Sequence, residues 1–267
     1  MKSAIALTDR PLTLCISSGK GGVGKTTFAV NLAAALAARK IKVLLIDGDL
    51  GLANVDVILG LNTSRTLQET IEQGTDPAEL LIEATPCFTV LPASSGVPTM
   101  ADLTAAEQSK LTNTLEKLCG GFDTVIVDTA AGIGPSVLGF NEWCALNCLI
   151  VTPDPTSLTD AYALIKILAA RQPARRLHLL VNKTKTRREG EEVFLHLHRV
   201  LKNFLQKDSE CLGILPRDQA AIKAIRQRQP VYRMAPETAI SKAFADIATT
   251  FMAANKLMSH SRDALSG

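Results

Sequence analysis

Aromatic side chains are scarce in this chain, 4% of its 267 residues, with one Trp and two Tyr. Its most basic stretch, residues 171–188, holds Arg171, Arg175, Arg176, Lys183, Lys185, Arg187 and Arg188 without an acidic residue, yet offers no aromatic ring for a base to stack on. Direct DNA binding is therefore not expected. The sequence lacks a run of about eighteen apolar residues, and no charged-then-apolar leader occupies Met1 to Leu12, so neither a membrane span nor a secretory signal is expected. Six cysteines occur, but without a C-x-x-C pair or a histidine at zinc spacing, which argues against a disulfide framework or metal cluster. Reduced thiols in a cytoplasmic protein are expected. Low-complexity linkers are also missing, so residues 1–258 read as a single domain and Ser259 to Gly267 as a disordered tail.

The net charge of +3 is unevenly placed: residues 1–170 carry 11 basic and 17 acidic side chains, residues 171–267 carry 18 and 9. A basic C-terminal third suits an acidic partner, and equally a solvated face.

What the chain has is a glycine-rich turn, Ser17 to Thr27, between the apolar run Leu12–Ile16 and the Ala/Leu-rich segment Phe28–Ala38. Gly19, Gly24, Lys25 and Thr26 satisfy G-x-x-x-x-G-K-[ST] between strand and helix, the context in which this motif cradles phosphate. Backbone N–H groups of Gly21, Gly22, Val23, Gly24, Lys25, Thr26 and Thr27 would wrap a nucleotide's phosphates. Lys25 would neutralise them, and the Thr26 hydroxyl would hold Mg²⁺.

Further short apolar runs at Val43–Ile46, Phe88–Leu91, Thr124–Val127, Cys148–Val151, Leu177–Val181 and Cys211–Leu215, most of them separated by helical patterns, specify an α/β fold. The expected architecture is a doubly wound, mostly parallel sheet with helices on both faces, in which ligands sit beyond the carboxyl ends of the strands. An outer helix is expected at Leu103–Leu118, a further helix at Ala161–Ala170, and a last core helix at Thr238–Met258 with Ile240, Phe244, Ile247 and Phe251 on one apolar stripe; a Pro/Ser/Gly loop is expected over residues 92–99.

The strand ends carry the chemistry. Asp128, closing the run Val125-Ile126-Val127, has the form of a Walker B carboxylate that binds Mg²⁺ directly or through its water. Gly132 is placed to offer its N–H to a γ-phosphate. Asp47 and Asp49 follow the second apolar run two residues apart, and each takes its own role: Asp49 orients or deprotonates the attacking water, and Asp47 joins the Mg²⁺ hydration shell. Asn182 can meet an adenine edge, with Pro216 over a base face and Arg217 beside it.

The context K-G-G-V-G-K-T, with Lys20 preceding the loop glycines, resembles the deviant Walker A of the MinD/ParA class of ATPases. DGDLGLANVDVILGL, DTAAGIG and PTSLTDAYALIK are similar to the flagellar-number branch of that class, the FlhG/FleN branch. The resemblance spans roughly Thr13 to Phe251. It implies an ATP-dependent homodimer in which Lys20 reaches the partner's phosphates, Lys25, Thr26 and Asp128 hold phosphate and Mg²⁺, Asp49 serves hydrolysis and Asn182 contacts adenine. It further implies slow ATP hydrolysis that times a switch over flagellar number or placement, read by a FleQ-type transcriptional activator, with a FlhF-type GTPase or switch-complex proteins as further partners. Met1 to Leu12 lacks the DQAxxLR element of some flagellar members. Membrane association is expected to be weak or absent, at most peripheral at the membrane or cell pole. The alternative within the class is DNA segregation or division-site placement.

Overall fold

A computed structural model of the chain describes residues 11–49, 54–62, 69, 75–93 and 104–266, the side chains of 105–108 and 254–266 excepted. The strands are β1 (Leu12–Ser18), β2 (Val43–Gly48), β3 (Ile82–Thr85), β4 (Phe88–Leu91), β5 (Thr124–Ala131), β6 (Leu146–Val151), β7 (Leu177–Thr184) and β8 (Ser209–Pro216). They form one eight-stranded sheet in the order β3-β4-β2-β5-β1-β6-β7-β8. Every pairing is parallel except the edge pair β3–β4. The doubly wound, mostly parallel sheet anticipated from the apolar runs is thus present, with an antiparallel edge strand added.

The central strands are buried along almost their whole length because helices cover both faces. On one face α1 (Lys25–Ala37) lies against the sheet. Its Ala33, Ala34 and Ala35 let the backbone approach closely, and Phe28 stacks on Phe244 with ring centroids 6.0 Å apart. Phe244, Ile247 and Phe251 come from the C-terminal helix and are buried, so its apolar stripe belongs to the core. On the other face Leu111 and Leu115 pack with Leu44, Ile46, Val125 and Val127, while Leu164, Ile165 and Leu168 pack with Leu149, Val151 and Leu179. The backbone helix expected to end at Met258 runs on from Ala239 to Ser266, through the segment read as a disordered tail. The loop expected over residues 92–99 lies largely outside the described residues.

The order β5-β1-β6 makes β1 the reversal point of the sheet: connections to its two sides run in opposite senses, which opens a crevice at its carboxyl end. The glycine-rich turn leaves β1 there.

Candidate nucleotide site

Lys25 opens α1 directly from the turn. Gly24, its N-cap, sits at φ +98°, a left-handed backbone that side chains rarely adopt. A Cβ there would also lie 2.5 Å from Asn182 Nδ2, so glycine is required twice over. Lys25 is buried, and its Nζ donates to Ser18 Oγ at 2.9 Å. Burial lowers its pKa, and the carboxylates of Asp128 and Asp49 oppose that shift.

Asp128 and Asp47 are neighbours across the β2–β5 ladder. Asp128 is fully buried, its pKa pushed up to about 8 by burial and then by Asp47, against a hydrogen bond from Thr26 and the charge of Lys25. Its Oδ1 has no hydrogen-bond partner. An orphaned buried carboxylate oxygen next to the loop's threonine and lysine is a donor set suited to a hard divalent cation, so Thr26 and Asp128 fit Mg²⁺.

Asp47 is engaged differently from the hydration-shell role expected of it. Its Oδ1 accepts from the Asp49 N–H at 3.1 Å, and its Oδ2 from the N–H groups of Asn54 at 3.0 Å and Val55 at 3.1 Å. The carboxylate thereby fastens the start of α2 (Val55–Leu59) to the end of β2. Burial raises its pKa to about 7 against those three bonds. Asp49 is half-buried just past the strand, and residues 50–53, the rest of the expected switch segment, are outside the described residues.

Gly132 lies at φ +95°, and its N–H, expected to face a γ-phosphate, donates to the Ser18 carbonyl at 2.9 Å. That bond ties the end of β5 to the start of the phosphate loop. Asn182 Nδ2 donates to the Val23 carbonyl at 2.8 Å, and its Oδ1 accepts from the Lys183 N–H. Pro216 pairs with Thr184, and the Arg217 N–H donates to the Thr184 carbonyl at 2.8 Å, so both meet β7 two residues beyond Asn182.

Lys20 carries the least expected contact. Its Nζ meets Asp154 Oδ2 at 3.0 Å and also the Thr156 hydroxyl. Asp154 is the N-cap of the helix Pro155–Arg171, accepting from the Thr156 N–H, and these bonds to Lys20 and Thr156 hold its carboxyl down to about 2. Lys20, Gly21, Gly22, Val23, Asp154 and Lys183 are among the residues lining a cleft of about 480 Å³ beside the loop. Sequence reasoning passed over Asp154, Ser18 and Lys183. Asp154-Pro155-Thr156 is a readable helix start, but nothing local says that its carboxylate meets Lys20.

The basic stretch is mostly neutralised. Arg171 pairs with Glu142, Arg176 with Glu210, Arg187 with Glu191 and Arg188 with Glu192, while Arg175 donates to the carbonyls of Asn141 and Cys144. Among the described residues no group of three or more His, Cys, Asp or Glu is placed to hold a metal ion, and no helix is long and apolar enough to cross a membrane.

A phosphate loop at the reversal point of a parallel sheet, with a buried lysine and a carboxylate bearing one unpartnered oxygen behind it, defines a P-loop ATPase that uses ATP and Mg²⁺. Within that class the chain belongs to the MinD/ParA family: residues 14–231 match the CobQ/CobB/MinD/ParA nucleotide binding domain. It is 39% identical to the antiactivator FleN of Pseudomonas aeruginosa, over 88% of this chain and 84% of that one. It is 31% identical to the flagellum site-determining protein YlxH of Helicobacter pylori, over 88% and 80%. Its fold superposes on the septum site-determining protein MinD of Pyrococcus horikoshii, solved with Mg-ADP, with a TM-score of 0.74 at 22% identity over 89% of this chain and 94% of that one.

Proposed function

We propose that this ATPase is a dimerising regulatory switch that sets flagellar number or placement through protein partners. The observation that carries this reading is its similarity to FleN over nearly the whole chain, with the phosphate loop and both strand-end carboxylate segments in place. Thr26 and Asp128 are the residues that would hold Mg²⁺, whose positive charge would offset that of the phosphates during transfer. The chain's own part is positional. Lys25 and the loop N–H groups hold the phosphates, and Thr26 and Asp128 hold the metal. Asp49 orients or deprotonates the attacking water at the mouth of the site. Asn182, with Pro216 and Arg217 beside it, borders the base.

Lys20 is the residue assigned to the second protomer's phosphates. Held by Asp154 and Thr156 in the single chain, it has to exchange those partners for phosphate oxygens when two copies meet. Dimer formation then depends on the nucleotide, and hydrolysis releases it. The segment from Asp49 to Asn54, anchored at its two ends by Asp47, is suited to report which nucleotide is present. Partners of this state are a FleQ-type transcriptional activator and a FlhF-type GTPase or flagellar switch-complex proteins, met in the cytoplasm or peripherally at the membrane or pole. A DNA-segregation role draws no support from the arginines of residues 171–188, since most are paired.

Deleting the gene and restoring it as wild type or Lys25→Ala tests the reading. Flagellar number or placement should change on deletion and return only with wild type; unchanged flagellation after deletion would refute the flagellar assignment.

A further inference from the structure

Three carbonyl oxygens of the phosphate loop are held by side chains. Ser18 Oγ donates to the Lys20 carbonyl at 2.7 Å, Lys183 Nζ to the Gly22 carbonyl at 2.6 Å and Asn182 Nδ2 to the Val23 carbonyl at 2.8 Å. A peptide unit is planar and trans, so its C=O and the following N–H point in opposite directions. Holding the carbonyls of Lys20, Gly22 and Val23 therefore turns the following N–H groups, those of Gly21, Val23 and Gly24, away from the side chains that hold them, which leaves these donors for phosphate oxygens.

The corner that supplies two of these holds is built for it. The β7–β8 ladder shifts register between Val181 and Thr184, which lifts Asn182 and Lys183 out of the regular pairing. Lys183 takes a left-handed backbone at φ +60°, uncommon for a residue with a side chain. The Asn182 carboxamide braces that conformation by accepting the Lys183 N–H at 2.8 Å while donating to Val23. Strain at Lys183 is thus sustained by the same side chain that holds the loop. Beyond the turn, the Thr184 hydroxyl donates to the Leu215 carbonyl at 3.2 Å, and the Arg217 N–H to the Thr184 carbonyl, so the corner is fixed to β8.

We infer that Lys183 is a positioning residue for the phosphate loop, acting with Asn182 to set the peptide planes of Gly22–Val23 and Val23–Gly24 before nucleotide arrives. This rests on the nucleotide reading above and gives Asn182 a task that does not need a base. The lysine is solvent-exposed at the rim and its stem makes no part of the core, so its loss should leave the fold intact.

Lys183→Met keeps the length of the stem and removes the donor; Lys183→Arg keeps a donor. In nucleotide-free protein, amide hydrogen exchange over residues 21–24 should quicken about fivefold in the methionine variant and stay near wild type in the arginine variant. Affinity for a fluorescent ADP should fall about tenfold with methionine and recover with arginine, at an unchanged melting temperature. Weaker ADP binding with unaltered exchange in the free protein would make Lys183 a direct ligand contact and overturn the inference, as would no change in either measurement. If wild type itself failed to bind ADP, the nucleotide reading would fall, while the exchange measurement would still decide whether Lys183 sets the loop.

Discussion

Removing the Asp47 carboxylate separates an anchoring role from a metal-shell role. In Asp47→Ala three backbone N–H groups lose their acceptor, but not equally. Asn54 is exposed and Asp49 half-buried, so water replaces the lost bonds there. Val55 is fully buried, and its N–H is left unsatisfied at a cost of about 1–3 kcal/mol. Adding a small cavity, the expected loss in nucleotide-free protein is about 2–3 kcal/mol at pH 5.

The pH dependence gives a second handle. The folded pKa of about 7 lies above the ordinary value of 3.8, so between those two pH values the folded chain holds a proton that the unfolded chain releases. Stability from this group is therefore complete below the unfolded value and is lost as pH rises to about 7, by at most about 1.4 kcal/mol per unit. The variant lacks that loss, so the gap between wild type and Asp47→Ala should grow as pH falls toward the unfolded value, and be larger at pH 5 than at pH 8. Urea denaturation at several pH values in EDTA measures it, and amide exchange at Asn54 and Val55 localises it. A loss under about 0.5 kcal/mol at pH 5, with exchange at those two amides unaltered, would refute the anchor.

Asp128→Asn should stabilise the nucleotide-free protein by about 1–2 kcal/mol at pH 8, because it removes a buried carboxylate with an orphaned oxygen, and should abolish the Mg²⁺-dependent gain in ADP affinity; lower stability in urea would contradict the argument. Asp154→Ala releases Lys20 and should lower the protein concentration at which ATP produces a dimer on size exclusion, whereas Lys20→Ala should bind nucleotide yet stay monomeric; normal dimerisation and hydrolysis by the lysine variant would defeat the trans-lysine role. Gly24→Ala meets both the left-handed backbone and Asn182, and should lose ADP binding with a fall in stability of about 1–2 kcal/mol; near-normal titration would show that the loop can shift at little cost.

Much of this architecture is legible along the chain because a parallel strand buried on both faces must be a continuous apolar run, and the residue that ends it must stand at the crevice. Asp128 after Val125-Ile126-Val127 and Lys25 after the glycine turn follow from that rule. The strand Ile82–Thr85 does not: it is a short edge strand with Glu83 and Thr85 facing partly to solvent, so it lacks the apolar run. Nor does the length of the C-terminal helix, whose last residues show no apolar stripe to extend the pattern.

The partners of Lys20, Gly132 and Asn182 were hidden for a different reason, since each is fixed by what the sheet order brings together. The turn after β1 has its neighbours in the turns after β5 and β6, at residues more than a hundred positions away. That adjacency puts Asp154 within reach of Lys20 and Gly132 against Ser18. Asn182 and Lys183 reach Val23 and Gly22 from one strand further out, through the register shift at the end of β7. A motif specifies which groups a phosphate needs, but the restraint on those groups comes from strand ends that only the fold makes neighbours. The loop's peptide planes and the reach of Lys20 are therefore set by side chains outside the motif, and variation at those positions can retune the switch while the motif itself stays unchanged.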